Sequence, residues 1–217
     1  DVVVLRGALA VIAVCARAAL ELRARGLHNV TVIPNAVDVE HIESCGTRLS
    51  ARAELGIGDE PVAGTVSRLS PEKGIEHFID AAPMVLKQCP AARFVVIGGG
   101  PLSPKLSRRA ELLGLADRLT FVGHRPDAAR LIKAMDVFVL PSLRENMPVA
   151  LLEAMACGVS LVASDVGGVG EVLSGTGVQP IAPGSPQAIA TAVSTLLADP
   201  SLRAAQAAAL KARANDF

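Results

Sequence analysis

Short apolar runs recur along this chain, each followed by a glycine- or proline-marked loop and then by a stretch whose apolar residues fall at helical spacing. The runs at Leu9–Val14, Val30–Ile33, Val62–Val66, Arg93–Ile97, Leu119–Val122, Val137–Leu140 and Ser160–Ala163 read as strands. Unbroken apolar runs of this length mark strands covered on both faces. Helices are predicted over 16–25, closed by Gly26, and then over 74–88, 104–113, 128–134 and 149–157. Two more, 185–198 and 201–214, are separated by Asp199–Pro200. A short helical turn near 168–173 and a possible last strand at Val178–Ile181 complete the series. Pro83 is a local objection to the helix over 74–88, because proline removes a backbone donor and usually kinks a helix. Between Asp38 and Asp59 the pattern weakens and polar residues rise, which places a linker or boundary near 36–60.

Strands alternating with helices through half a dozen repeats predict an α/β protein with a Rossmann-like, doubly wound parallel sheet. In such sheets ligands bind beyond the carboxyl ends of the strands. The loops to inspect are therefore 67–73, 98–103, 123–127, 142–147 and 164–168.

Composition narrows the function. Hydrophobic residues make up 51% of the 217, mostly aliphatic, with five Phe and no Trp or Tyr, so the chain can bury a substantial core. Lys plus Arg equals Asp plus Glu at 21 each, and no bulk field draws nucleic acid or an anionic membrane. The four cysteines (Cys15, Cys45, Cys89, Cys157) have no zinc-like spacing and read as free thiols in a reducing cytosol, a cytoplasmic assignment. No apolar run reaches the roughly 18–20 residues of a membrane span, so membrane association is not indicated. Gly7 to Ala16 between Arg6 and Arg17 has the outline of a signal-peptide core, but the same residues read well as a buried strand entering a helix. A chain that begins at Asp1 reads as a fragment.

Gly98, Gly99 and Gly100 follow a strand, but the dinucleotide fingerprint needs a glycine where Ser103 stands, and no P-loop motif is present. A tight turn in which side chains would clash explains these glycines better. Arg68 and Lys73 flank Ser70–Pro71–Glu72 just before a helix start, so two cations and unpaired N–H groups could hold a diphosphate without a metal. They could equally be solvated surface charges. Glu145 lies in a loop ending at Pro148, beside the N–H groups of residues 147–150. Glu153 is the only charge in its helix; buried, it would need partners such as a ribose diol, and otherwise it marks a solvent edge. Gly123–His124–Arg125 could meet a nucleobase through its backbone, or simply lie on the surface.

Together, VIPNAVD (32–38), GTVSRLSPEKG (64–74), FVVIGGGP (94–101), VGH (122–124) and ENMPVALLEAMACG (145–158) resemble the donor-binding half of the retaining family 4 glycosyltransferases, which have the GT-B fold. The resemblance covers nearly the whole chain. It implies that residues 1–45 are the end of an N-terminal acceptor domain with its linker, and that 46–217 form the C-terminal nucleotide-sugar domain. It implies transfer of a sugar from a nucleotide-diphosphate sugar to an acceptor bound mainly by the N-terminal domain, with no cofactor and no metal; no DxD motif occurs. Arg68 and Lys73 match the cations on the donor diphosphate, and Glu145 matches the carboxylate near the donor sugar. Glu153 matches the residue that binds the ribose hydroxyls. Asn146, Met147, Pro148, Val149 and Ala150 would meet the sugar and phosphates, and His124 and Arg125 would edge the base. The family proposal for chemistry is a front-face mechanism in which the leaving phosphate takes the acceptor proton. Where Ala36 and Asn146 stand the family usually has glycine, and a requirement for positive φ would bear hardest on Ala36. The alternatives are a non-catalytic nucleotide-sugar-binding module and a GT-B-shaped sugar-nucleotide epimerase.

Overall fold

The computed structural model describes residues 7–217. Its centre is a five-stranded sheet, all parallel, built from β3 (Val62–Val66), β4 (Arg93–Ile97), β5 (Leu119–Gly123), β6 (Val137–Leu140) and β7 (Ser160–Ala163) in the order β5-β4-β3-β6-β7. A separate parallel pair, β1 (Val11–Ala13) and β2 (Val30–Val32), precedes it. The helices are α1 (Ala16–Ala24), α2 (Val39–Ser44), α3 (Arg48–Glu54), α4 (Ile75–Gln88), α5 (Ser103–Leu112), α6 (Ala128–Ile132), α7 (Val149–Ala156), α8 (Val169–Val172), α9 (Pro186–Ala198) and α10 (Pro200–Ala214).

Side chains on a strand alternate between faces, and here both faces are apolar. Phe94, Val96, Val137, Val139 and Val162 point to one side, where α4, α5 and α9 cover them; the edge-on pair Phe78–Phe94, 5.9 Å between ring centres, anchors that layer. Val95, Ile97, Phe138, Leu140 and Leu161 point to the other, packed under α3, α6, α7 and α10. The two layers on a parallel sheet are the expected doubly wound architecture.

Four expectations need correction or sharpening. The strand expected over Leu9–Val14 shortens to Val11–Ala13, and among the described residues one of its faces is covered: Val11 and Ala13 pack with Ala19, Leu27 and Val30, whereas Ile12 is 61% exposed. The segment near 36–60, expected to be a linker or boundary because its pattern weakens, contains α2 and α3. Local caps hold them, Asp38 accepting from the His41 N–H, and Thr47 and Ser50 forming a reciprocal capping box. Buried Arg52 then ties the end of α3 to the carbonyls of Gly58, Glu60 and Ala134. The possible last strand at 178–181 is a single bridge, Ser164 to Ile181, because Pro180 has no donor to extend a ladder. Pro83 lies within α4 without ending it. All four cysteines are free.

Candidate active site

The strand order reverses between β3 and β6: from β3 the chain winds outward through β4 and β5, then returns to β6 and β7 on the other side. At such a reversal, neighbouring loops leave the sheet in opposite directions and open a crevice. The two loops that meet there follow β3 and β6, and carry Arg68 with Lys73, and Glu145, respectively.

Close backbone crossings fix both loops. After β3, Pro71–Lys73 form a 3-10 turn that ends at Gly74, in the left-handed region at φ 60°. A Cβ at Gly74 would stand 2.3 Å from the Pro141 carbonyl oxygen, so only glycine lets this turn pass the end of β6. Gly167, at φ 55°, passes the Glu145 carbonyl in the same way, its notional Cβ 2.0 Å from that oxygen. The Glu145 loop is also tied by the Leu143 N–H to Glu72 O (2.8 Å), the Gly168 N–H to Asn146 O (2.6 Å) and the Asn35 side-chain amide to Met147 O (2.7 Å).

The result is a direct ion pair. Lys73 Nζ donates to Glu145 Oε1 at 2.7 Å, and the Ser142 hydroxyl donates to the same oxygen at 2.8 Å. The Glu145 side chain is 8% exposed and that of Lys73 23%, so solvent screens the pair only in part. Glu145 thus accepts from Lys73 and Ser142, and not from any backbone N–H of residues 147–150. Pro148 caps that helix without a side-chain bond, and the N–H groups of Val149 and Ala150 meet no acceptor among the described residues. Unclaimed N–H groups at a helix start carry partial positive charge and suit an anion.

Arg68 is the outer cation, with 70% of its side chain exposed. It donates to Glu72 at 2.8 Å, and the Ser70 hydroxyl donates to the same oxygen at 2.7 Å. These contacts, with Ser70 and the Glu72 backbone foremost, hold the Glu72 carboxyl down at about 2. Arg68 also lines a cleft of about 440 Å³ with Gly98, Gly99, His124, Arg125 and Ala150. The register of β4 against β5 slips between Val96 and Ile97, setting Ile97 opposite Gly123 and leaving His124 at the cleft rim. The glycine run is a close-approach turn, as expected: a Cβ at Gly98 would meet the Ser67 carbonyl oxygen at 1.8 Å.

Arg125 also lines this cleft, and its guanidinium is already held by carboxylates. It bonds Asp127 at 2.8 and 2.9 Å and pairs with Glu54 at 2.6 Å, and these two carboxylates push its pKa further up. Glu153 lies in an adjoining cleft of about 360 Å³ with Ala36, Asp38, His41, Asp127 and Val149; the first turn of α7 and the turn before α6 separate the two clefts. Glu153 is half-buried, its carboxylate has no hydrogen-bond partner among the described residues, and burial pushes its pKa up. It sits inside a cleft rather than on a solvent edge.

Asn146 is exposed, and Met147 and Pro148 are buried, Met147 as part of the hydrophobic core. No described non-glycine residue has positive φ, so Ala36 and Asn146 take their places without strain. Sequence reasoning missed Ser142, Glu72 as the partner of Arg68, and Asn35 as the brace behind Met147. Ser142, 1% exposed, follows a fully buried strand and carries no periodic signal. Among the described residues no three His, Cys, Asp or Glu side chains stand together as a metal site requires, and no helix is long and apolar enough to cross a membrane.

The parallel sheet, with clefts and cations gathered where its strand order reverses, defines one half of a GT-B architecture. The chain belongs to the family described as glycosyl transferases group 1, whose model matches residues 60–199. It is 36% identical over 188 residues to the GDP-mannose-dependent alpha-(1-6)-phosphatidylinositol monomannoside mannosyltransferase of Mycolicibacterium smegmatis, covering 82% of this chain and 49% of that protein. The structure of Anabaena Alr3699/HepE in complex with UDP is similar at a TM-score of 0.86 and 29% identity, over 97% of this chain and 60% of that one. The C-terminal domain of a glycosyl transferase group 1 family protein (LpcC) from Francisella tularensis matches at a TM-score of 0.74 and 26% identity, over 83% of this chain and 97% of that domain. The chain thus spans about half the length of the Mycolicibacterium relative.

Proposed function

We propose that this chain supplies the donor site of a retaining glycosyltransferase that moves a sugar from a nucleotide-diphosphate sugar to an acceptor. The observation that carries this reading is the Lys73–Glu145 pair, which joins the loop carrying Arg68 to the loop that leads into the unclaimed N–H groups of Val149 and Ala150. One proton of the Lys73 ammonium is committed to Glu145, which leaves two donors; Arg68 commits one N–H to Glu72 and keeps four. Those donors and the start of α7 would hold the diphosphate and stabilise the charge that develops on it as the glycosidic bond breaks. The base would occupy the cleft edged by His124 and Arg125. The ribose would lie toward Glu153, whose unpartnered carboxylate can accept from two hydroxyls. The donor sugar would then sit beside Glu145 and Asn146.

In the front-face scheme the bond from the anomeric carbon to the phosphate oxygen breaks as the acceptor oxygen attacks from the same side. The leaving phosphate takes the hydroxyl proton. Glu145, fixed by Lys73 and Ser142, would orient the sugar and balance charge at its reacting face. An N-terminal domain would bring the acceptor. UDP in the Anabaena neighbour supports a nucleotide donor of this kind.

The test is product stereochemistry from the full-length protein with a labelled donor. Transfer with the donor's anomeric configuration kept supports the proposal. Inversion at the anomeric carbon overturns the retaining mechanism, isomerisation without acceptor favours an epimerase, and binding without turnover favours a non-catalytic module.

A further inference from the structure

Resting on this donor reading, we propose that a polar cleft on the outer side of the Glu145 loop is the binding site for an acceptor that carries a phosphate group. The cleft, about 650 Å³, runs between α1 and the loops at 143–146 and 165–167, and Glu145 itself is part of its wall. Three arginines line it: Arg17 and Arg25 from α1, and Arg144 from the loop.

Their placement is ordered. Arg17, Glu21 and Arg25 follow one another at four-residue spacing, so they form one stripe along α1, with the two arginines about 12 Å apart along the axis. Arg144 immediately precedes Glu145, and its backbone N–H is held by the Glu72 carbonyl at 3.2 Å, which fixes its side of the cleft. The cleft therefore extends well beyond the space of one sugar ring and ends at the residue that would face the donor sugar.

Charge supplies the second argument. Arg93, Arg109, Arg125, Arg130 and Arg213 each hold a carboxylate within 3.3 Å. Among the described residues, the guanidinium groups of Arg25 and Arg144 hydrogen-bond to nothing, and Arg17 has only Glu21, at 4.0 Å. On the acidic side, Glu145 is already claimed by Lys73 and Ser142, leaving Glu21 and Asp165. Three guanidinium forks against two carboxylates leave a net positive cleft, and guanidinium matches phosphate oxygens in pairs. An acceptor anchored there by its phosphate would present its hydroxyl toward Glu145.

The experiment titrates this chain, first saturated with the nucleoside diphosphate it binds, with three probes: glycerol phosphate, glycerol, and vesicles containing phosphatidylglycerol. Saturation removes the Arg68–Lys73 site from competition. A phosphate-dependent signal with the soluble ester or the vesicles, absent with glycerol, is expected; the soluble arm identifies a free phosphate ester and the vesicle arm a lipid headgroup. Arg25→Ala with Arg144→Ala should weaken that signal at least tenfold and leave nucleotide affinity unchanged, which also shows that the variant is folded. No phosphate-dependent signal in either arm, or one that the double variant keeps, overturns the proposal. If the chain binds no nucleotide at all, the donor reading fails first and this site falls with it.

Discussion

Lys73 Nζ lies 2.7 Å from Glu145 Oε1 across 72 residues of sequence, joining the loop after β3 to the loop after β6. The pair is a lock on the crevice as well as a source of charge. Lys73→Ala leaves Glu145 with Ser142 as its remaining side-chain partner, in a largely buried position. We expect a loss of about 1–3 kcal/mol in unfolding free energy, less than a fully buried pair would cost because Lys73 keeps some solvent contact. Adding Glu145→Gln should recover part of it. Denaturant titration of the single and double variants measures the coupling.

Glu153 predicts a pH-dependent stability of definite sign. Burial raises its pKa in the folded state, so between the ordinary value near 4.5 and the raised one the folded chain holds more protons than the unfolded chain. Its contribution to stability therefore falls as pH rises through that window. Glu153→Gln should melt higher than the parent at pH 8 and show no difference at pH 4. The same variant should bind nucleotide more weakly, and removing a ribose hydroxyl from the nucleotide should then cost it little further. Melting curves at the two pH values, with a deoxynucleotide titration, check both halves.

The crossing glycines are structural requirements of the site. Gly167→Ala places a methyl 2.0 Å from the Glu145 carbonyl oxygen and should cost several kcal/mol, together with nucleotide affinity. Gly114→Ala is the control: its φ is also positive, at 69°, but nothing lies within 4 Å of the new Cβ. It should cost about 1–2 kcal/mol from backbone strain and leave nucleotide affinity intact.

The Arg68–Glu72 contact should be insensitive to pH over the ordinary range. The Glu72 carboxyl, held at about 2, stays ionised from pH 8 down to pH 4, and its share of stability is lost only as pH falls toward that value. Affinity for a nucleotide sugar, which has no titrating terminal phosphate, should show no step from this pair between pH 8 and 5. Calorimetry across that range detects one if it exists.

The sheet was legible because its strands are short apolar runs divided by punctuating loops, and both faces of the sheet are covered. What escaped was held by other means. α2 and α3 rest on side-chain caps and on a buried arginine, which leave little periodic trace. β1 carries an apolar run yet exposes Ile12, because a run shows hydrophobicity and not which layer covers it. In the site, Arg68, Lys73, Glu145 and Glu153 each stood out as a charge in an informative place. Their pairing did not, since it depends on β3 lying beside β6 and on two close passages at Gly74 and Gly167. The Arg125 guanidinium is held by Asp127 and also by Glu54, a residue of the segment whose pattern is weak.

The central claim is that these residues bind a nucleotide through its diphosphate, and calorimetric titration with UDP, GDP and ADP, each alone and as its sugar conjugate, tests it directly. We expect at least one to bind, with Arg68→Ala and Lys73→Ala each weakening it ten- to a hundredfold, about 1.4–2.7 kcal/mol, while affinity for the bare nucleoside stays within about twofold. A folded chain that binds none of them, or variants that lose nucleoside and nucleotide affinity alike, would contradict the account.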